Sequence, residues 1–273
     1  MHFKLFTYYL MLLVILLANA PAKAQETTPN AAITTPPTTA MWLGTYGTVR
    51  LSKNLFWAGE LHYRRAEFDD VPFVGRMDKL YNRHGITYLF SKKFSATLGG
   101  VLRFDFSENP KSDNYESFVM EPRIWHEYLF ALPFPKFMVY HRIRLEHRWN
   151  RSTLKGSDWI FRNRWRYKFM MKIPLNNTKL VPGTFYFNPD IELIMQSGKS
   201  VINSPLEDLR IYPALAYIAS SRITYSTGMM YTTGQKLGMG HVYSQKWVFK
   251  FNVYLNFDFR KFEAKIPEIK ARD

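Results

Sequence analysis

Three arginines at every second position open the question of chemistry in this chain. Arg162, Arg164 and Arg166 share one face of any extended segment, with Lys168 next on the same face. The preceding segment repeats the device with Arg142, Arg144, Glu146 and Arg148, and the one before it carries Glu121, Arg123 and Glu127. Glu60 and Arg64 flank His62, Arg103 precedes Asp105, and Asp190 and Glu192 close the set. A guanidinium is a planar fork that pairs bidentately with carboxylate or phosphate. Three like charges on one strand face repel unless acids or an anion answer them. Two readings follow. The charges neutralise one another and stiffen a wall, or they leave an electropositive surface that selects anions or holds an acidic ligand.

Other chemistries find less to work with. The chain has no Cys, so disulfides, thiolate nucleophiles and Cys-ligated metals drop out. A lipid-directed hydrolase would need a base within reach of a nucleophile, and the candidates are His147 with Ser152 and His241 with Ser244. Neither pair has tight spacing. Glu60 and His62 form an i, i+2 pair, short of the three or four ligands zinc usually takes. No Gly-rich phosphate loop is present. The expectation is a protein without catalytic residues, cofactor or metal site.

Strands must position these charges. Residues 246–259, KWVFKFNVYLNFDF, place Trp247, Phe249, Phe251, Val253, Leu255, Phe257 and Phe259 on one face and mostly polar groups on the other. The same period of two recurs along the chain. It yields eleven strand candidates, beginning near Met41, Leu55, Met77, Phe94, Ser117, Lys136, Asp158, Thr184, Asp208, Ile223 and Val242. Short connections alternate with longer polar ones, among them 67–76, 107–116, 150–157, 196–207 and 234–240, as in an up-and-down meander.

The N-terminus has the parts of a secretory signal peptide. Lys4 precedes an apolar run at 5–18, and Ala22-Lys23-Ala24 precedes Gln25. The expected division is a signal peptide at 1–24, a flexible Thr/Pro-rich leader at 25–40, a barrel at 41–259 and a charged tail at 260–273. The chain of 273 residues has 37 Lys+Arg against 22 Asp+Glu; loss of Lys4 and Lys23 lowers the net charge from +15 to +13. Aromatics reach 17%. Export, strands near the 9–11 residues of a tilted span, and Trp and Tyr near strand ends favour a transmembrane barrel over a soluble sandwich. Because bacterial single-chain barrels have even strand numbers, the expected fold is an all-β, antiparallel up-and-down transmembrane barrel of 10–12 strands, with 12 preferred. With short turns on the periplasmic side, the first strand would start at the outer face. Basic residues alternating on strands of an exported chain argue against nucleic acid as a partner.

The hairpin WLGTYGTVRLSKNLFWAGELHYRR (42–65), the pair RIRLEHRWNR (142–151) and FRNRWRYKFMMKIPL (161–175), and the segment PGTFYFNPDIEL (182–193) resemble the DUF2490 family. The resemblance spans essentially the whole mature chain. It implies an outer-membrane β-barrel of the kind common in Bacteroidota, and no active-site residues. This chain departs from a common outer-membrane ending, because charged residues follow Phe259. Its expected home is the outer membrane of a Gram-negative cell. Its expected partners are outer-membrane lipid and lipopolysaccharide, with other outer-membrane proteins as further candidates. The leading expectation is a non-enzymatic barrel with an Arg/Glu-lined lumen, either a narrow anion-preferring pore or a closed barrel. The alternatives are an accessory subunit of an outer-membrane complex and a lipid-directed hydrolase.

Overall fold

Period-two alternation over a dozen residues leaves each strand with one face to bury, and the chain buries it by curling one sheet on itself. The computed structural model describes residues 32–201, 204–236 and 239–260. The expected signal peptide, residues 25–31 of the leader and residues 261–273 of the tail lie outside the described residues. Among the described residues there is no helix.

The strands are β1 (Ile33–Thr34), β2 (Thr38–Arg50), β3 (Leu55–Phe68), β4 (Val71–Ser91), β5 (Phe94–Phe106) and β6 (Phe118–Pro133), then β7 (Met138–Asn150), β8 (Ile160–Pro174), β9 (Phe185–Ser197), β10 (Leu206–Ile218), β11 (Ile223–Gln235) and β12 (Val242–Asp258). From β2 to β12 each strand pairs antiparallel with the next. The wall closes where β12 pairs with β2, and that seam is parallel, from Lys246↔Thr38 to Asp258↔Arg50. Eleven strands make the wall. The sequence count of eleven was therefore the right one for the wall, and the preference for an even twelve holds only if β1 is included. The physical reason is simple. In a meander with an odd number of strands the first and last run the same way, so their ladder must be the parallel one.

The two-residue β1 also lies along β12, ahead of β2. Pro36 and Pro37 separate it from β2, since neither has an N–H to give the ladder. The described part of the expected leader, 32–40, is thus largely paired with β12, and the wall begins at Thr38 rather than Met41.

One connection differs sharply from the expected loop at 67–76. β3 and β4 continue to Phe68 and from Val71, leaving a two-residue turn. Asp69 and Asp70 both have positive φ, 51° and 60°. That is the geometry of a tight hairpin turn, which Asp tolerates. Two register shifts in the β3/β4 ladder and a positive φ at Phe73 break the alternation there, so the strand is hard to read.

Inside, glycines make room for bulk. A Cβ on Gly99 would collide with the His84 carbonyl oxygen, and one on Gly85 would meet the Trp125 ring at 2.9 Å. The bare backbones of β4 and β5 form the bed on which Trp125 lies. Outside, each strand from β2 to β12 carries large apolar side chains, several of them more exposed than buried, such as Leu98 (62%), Ile124 (52%) and Trp165 (51%).

Candidate functional site in the barrel lumen

Register brings like charges face to face on the lumen side. Across β7/β8, Arg144 lies opposite Arg166 and Arg148 opposite Arg162, with only Glu146 facing Arg164 as an opposite pair. Such a ladder would repel itself. It is held because carboxylates from other strands reach into it.

Glu146 is the hub, with a fully buried side chain. It accepts from Arg123 at 2.6 Å, Arg166 at 2.8 Å, Arg83 at 3.2 Å and Arg164 at 3.3 Å. Glu192 takes Arg142 at 2.6 Å, Arg166 through two nitrogens, and Arg210 at 3.4 Å. Glu60 receives Arg83, Arg144 at 3.1 Å and His62 at 3.1 Å. Glu121 binds Arg123 at 2.6 Å, Arg148 at 3.0 Å and Arg103. Glu127 takes Arg144 at 2.7 Å, and Asp190 takes Lys168 at 2.7 Å. Hydrogen-bonded pairing of this density offsets the cost of burying so many ions.

All fifteen charged residues singled out from sequence point into the lumen. Twelve are buried, and Glu60, Arg64 and Arg166 are partly buried. Most join the network. Arg64 and Arg162 do not meet an acid: Arg162 binds Asn150 Oδ1 at 2.9 Å, and Arg64 binds the Tyr81 hydroxyl at 3.3 Å. Sequence reasoning missed Glu207, which it left in a loop. A register shift between Leu206 and Asp208 makes Glu207 the extra residue of a bulge, and the bulge turns its carboxylate onto Arg148 and Arg164. It also missed the aromatic interior. Trp42, Tyr81, Trp125, Tyr140, Tyr186 and Tyr212 are buried in the lumen, although aromatics were expected mainly outside. Cations lie over their rings, among them Arg64 over Trp42 at 3.6 Å and Arg144 over Trp125 at 4.7 Å.

The hydrolase candidates do not assemble. His147 Nδ1 meets Asn163 Oδ1 at 2.7 Å, while the Ser152 hydroxyl accepts the Leu154 amide within its own loop. Ser244 Oγ donates to the Gly234 carbonyl. His62 has Glu60 beside it, but no group of three or more His, Asp or Glu disposed to hold a metal ion occurs among the described residues.

The family comparison fits this interior. A model described as a protein of unknown function, DUF2490, matches residues 39–240. The chain belongs to the DUF2490 family. No curated protein and no solved structure matches it. The span matched to DUF2490 contains all fifteen residues and ends just before β12, so the strand that closes the barrel lies outside it.

Little open space remains around the ion-pair network, although a cavity of about 250 Å³ lies at the short-turn end between Phe134, Tyr140 and Leu180. A central cavity of about 70 Å³ is bounded by the network and by Trp42, Tyr46, Met230 and Asn252. A second, of about 40 Å³, shares Tyr46, Glu60 and Arg144 with it and continues to Thr48, Ala58 and Asn256. At one rim, the loops 107–117 and 151–159 are tied together. Arg151 holds Glu116 at 2.5 and 2.7 Å, and Tyr115 bridges to Leu154. Hydrogen bonding and charge from Arg151 keep the Glu116 carboxyl below its ordinary range.

Proposed function

We propose that this protein is an outer-membrane β-barrel whose lumen is sealed by its own ion-pair lattice, so that it serves as a membrane-embedded binding or scaffolding body rather than as a passive pore. One observation carries the reading: the barrel is inverted, with carboxylates and guanidiniums buried inside and large apolar side chains exposed around the outside. In water such a surface would be a large aggregation-prone patch. Against acyl chains it is the expected face of a spanning barrel. The signal-like N-terminal sequence supports export. Outer-membrane lipid and lipopolysaccharide are the natural contacts of the wall, and basic rim residues suit lipopolysaccharide phosphates.

The sealed lumen is argued from the interlocked arginines and the small size of the two cavities beside them. A barrel of this strand number is narrow enough for side chains to fill. The test is planar-bilayer recording with protein whose folding is checked by heat-modifiable electrophoretic mobility. Folded protein is expected to give no steady conductance. A steady conductance, lowered by replacing Arg164 or Arg166 with Gln, would sink the sealed lumen in favour of an anion-selective pore.

A second role rests on a polar interruption of the outer face. His126 and His147 stack at 5.8 Å, and His147 is bonded to Asn163, all on the outward side of β6–β8. Such a patch favours docking by another membrane protein. Stoichiometric co-purification in mild detergent, lost in a His147→Leu/Asn163→Leu variant, is the expected signature.

A further inference from the structure

Eight of the ten cations bounding the central cavity have a carboxylate partner, and two do not. Arg64 and Lys250 make no ion pair among the described residues. Arg64 stacks between Trp42 and Tyr81, with ring centroids 3.6 and 4.4 Å away, and gives one hydrogen bond to Tyr81. Lys250 Nζ sits 4.1 Å from the centre of the Tyr212 ring and makes no hydrogen bond. The two are not scattered. Lys250 pairs in register with Trp42, and Trp42 with Arg64, so they occupy one row across β12, β2 and β3.

The charge balance agrees. Ten cations line the cavity, with Glu60, Asp190 and Glu192 as the acids among its lining residues. Adding the carboxylates that bind those cations from behind (Glu121, Glu127, Glu146, Glu207 and Asp208) brings the acids to eight. Arg103 and Arg148, outside the lining, share Glu121 and Glu207 with these cations, so the surplus of positive charge is at least two, and Arg64 and Lys250 are the lining cations left without an ion pair. Donors are left over as well. Arg83 Nε and Arg123 Nη2, on side chains more than nine-tenths buried, find no acceptor among the described residues, and neither do Arg64 Nε and Arg142 Nε. All four arginines line this cavity.

We propose that the central cavity is a binding site for a small tetrahedral oxyanion of the phosphate class, with Arg64 and Lys250 supplying the uncompensated charge. Size fits the assignment. At roughly 10–15 Å³ for each water-sized occupant, about 70 Å³ holds around five, the number of heavy atoms in phosphate or sulfate. A surplus of positive charge with no acid to answer it suits an anion of this class. Guanidinium forks provide its geometry, and the aromatic rings beside Arg64 and Lys250 keep both cations from swinging toward existing acids. The 40 Å³ cavity beyond Tyr46 marks the path by which the ion would enter, toward the strand ends at Thr48 and Asn256. Tyr46 is stacked on Tyr254 at 4.8 Å and stands between the two spaces. The assignment rests on the reading of the lumen as a binding body proposed above, not on its being sealed against ions.

The experiment uses the full mature protein folded in detergent. Inorganic phosphate is titrated by equilibrium dialysis with a radioactive tracer, and sulfate is added as competitor. Saturable uptake of one phosphate per barrel, displaced by sulfate and weakened at least tenfold in both Lys250→Met and Arg64→Gln, is the expected result. Thermal unfolding of the unmodified protein supplies a second readout, because a ligand held only by the native state raises its stability. If a variant does not fold, phosphate must still raise the unfolding temperature of the parent protein. Folded, non-conducting protein that takes up no phosphate and gains no thermal stability overturns the site and leaves the sealed barrel intact. Uptake that is unchanged in both variants overturns it too. Steady conductance together with saturable uptake would remove the sealed lumen and retain the site.

Discussion

The two walls of the lumen are built on opposite plans. Strands β6–β9 present Glu121, Arg123, Glu127, Arg142, Arg144, Glu146, Arg164, Arg166 and Glu192, bound to one another and to acids from neighbouring strands. The facing wall, β10–β12 with β2, packs Ala40, Trp42, Tyr212, Ala214, Met230 and Val248 into an apolar cluster. One wall is filled by reciprocal charge and the other by shape. A charged wall is weakened most where removing one member leaves its partners buried and unanswered. An apolar wall tolerates exchange of volume for similar volume. Long arginines on one side also need short or flat residues on the other, and Gly44, Gly228 and the Trp42 ring occupy that side.

Substitutions can break or sharpen this contrast. Glu146→Gln removes the acceptor shared by four arginines. It should lower stability by about 3–5 kcal/mol, read as an earlier midpoint in urea unfolding of the detergent-folded barrel. A change of under about 1 kcal/mol there would mean that the arginines re-pair freely and the contrast is illusory. Glu207→Ala should fall below it, near about 1–3 kcal/mol, since Arg148 keeps Glu121 and Arg164 keeps Glu146. Met230→Leu, on the apolar wall, should cost less than about 1.5 kcal/mol; a loss equal to that of Glu146→Gln would show both walls to be equally exacting. The smallest effect belongs to the rim. The Glu116 carboxyl is depressed in the folded state by Arg151, so its contribution is present above the ordinary carboxylate value of 4.5 and is lost as pH falls through the lowered one. A carboxyl titration by NMR should give a midpoint below that value, returned to it in Arg151→Gln.

Much of this interior was legible in the sequence because side-chain direction in a strand depends only on parity. Arg162, Arg164 and Arg166 were placed inward by counting in twos. What escaped were features that parity does not encode. Glu207 faces inward because a bulge inserts it, and nothing in the residues 196–207 marks the bulge. The turn at Asp69-Asp70 was hidden by register shifts in β4. Trp42 and Tyr212 obey the parity rule, yet their composition suggests the outer face; only the closed geometry gives an aromatic ring a cation to lie under. Strand number was misjudged differently. The residues supported eleven, and a rule about other barrels argued for twelve. The parallel seam between β12 and β2 satisfies the hydrogen-bonding that the rule was meant to protect.

That seam also gives the barrel a direction. Thr38 starts β2 at the rim of the longer loops, and Asp258 ends β12 at the rim of the short turns. An even meander returns its chain to the side it left, like a staple. An odd one passes through, like a rivet. Reporters fused just before Thr38 and just after Asp258 would emerge on opposite faces of any sheet of lipid in which the wall is set, so each molecule can carry a different attachment to each side.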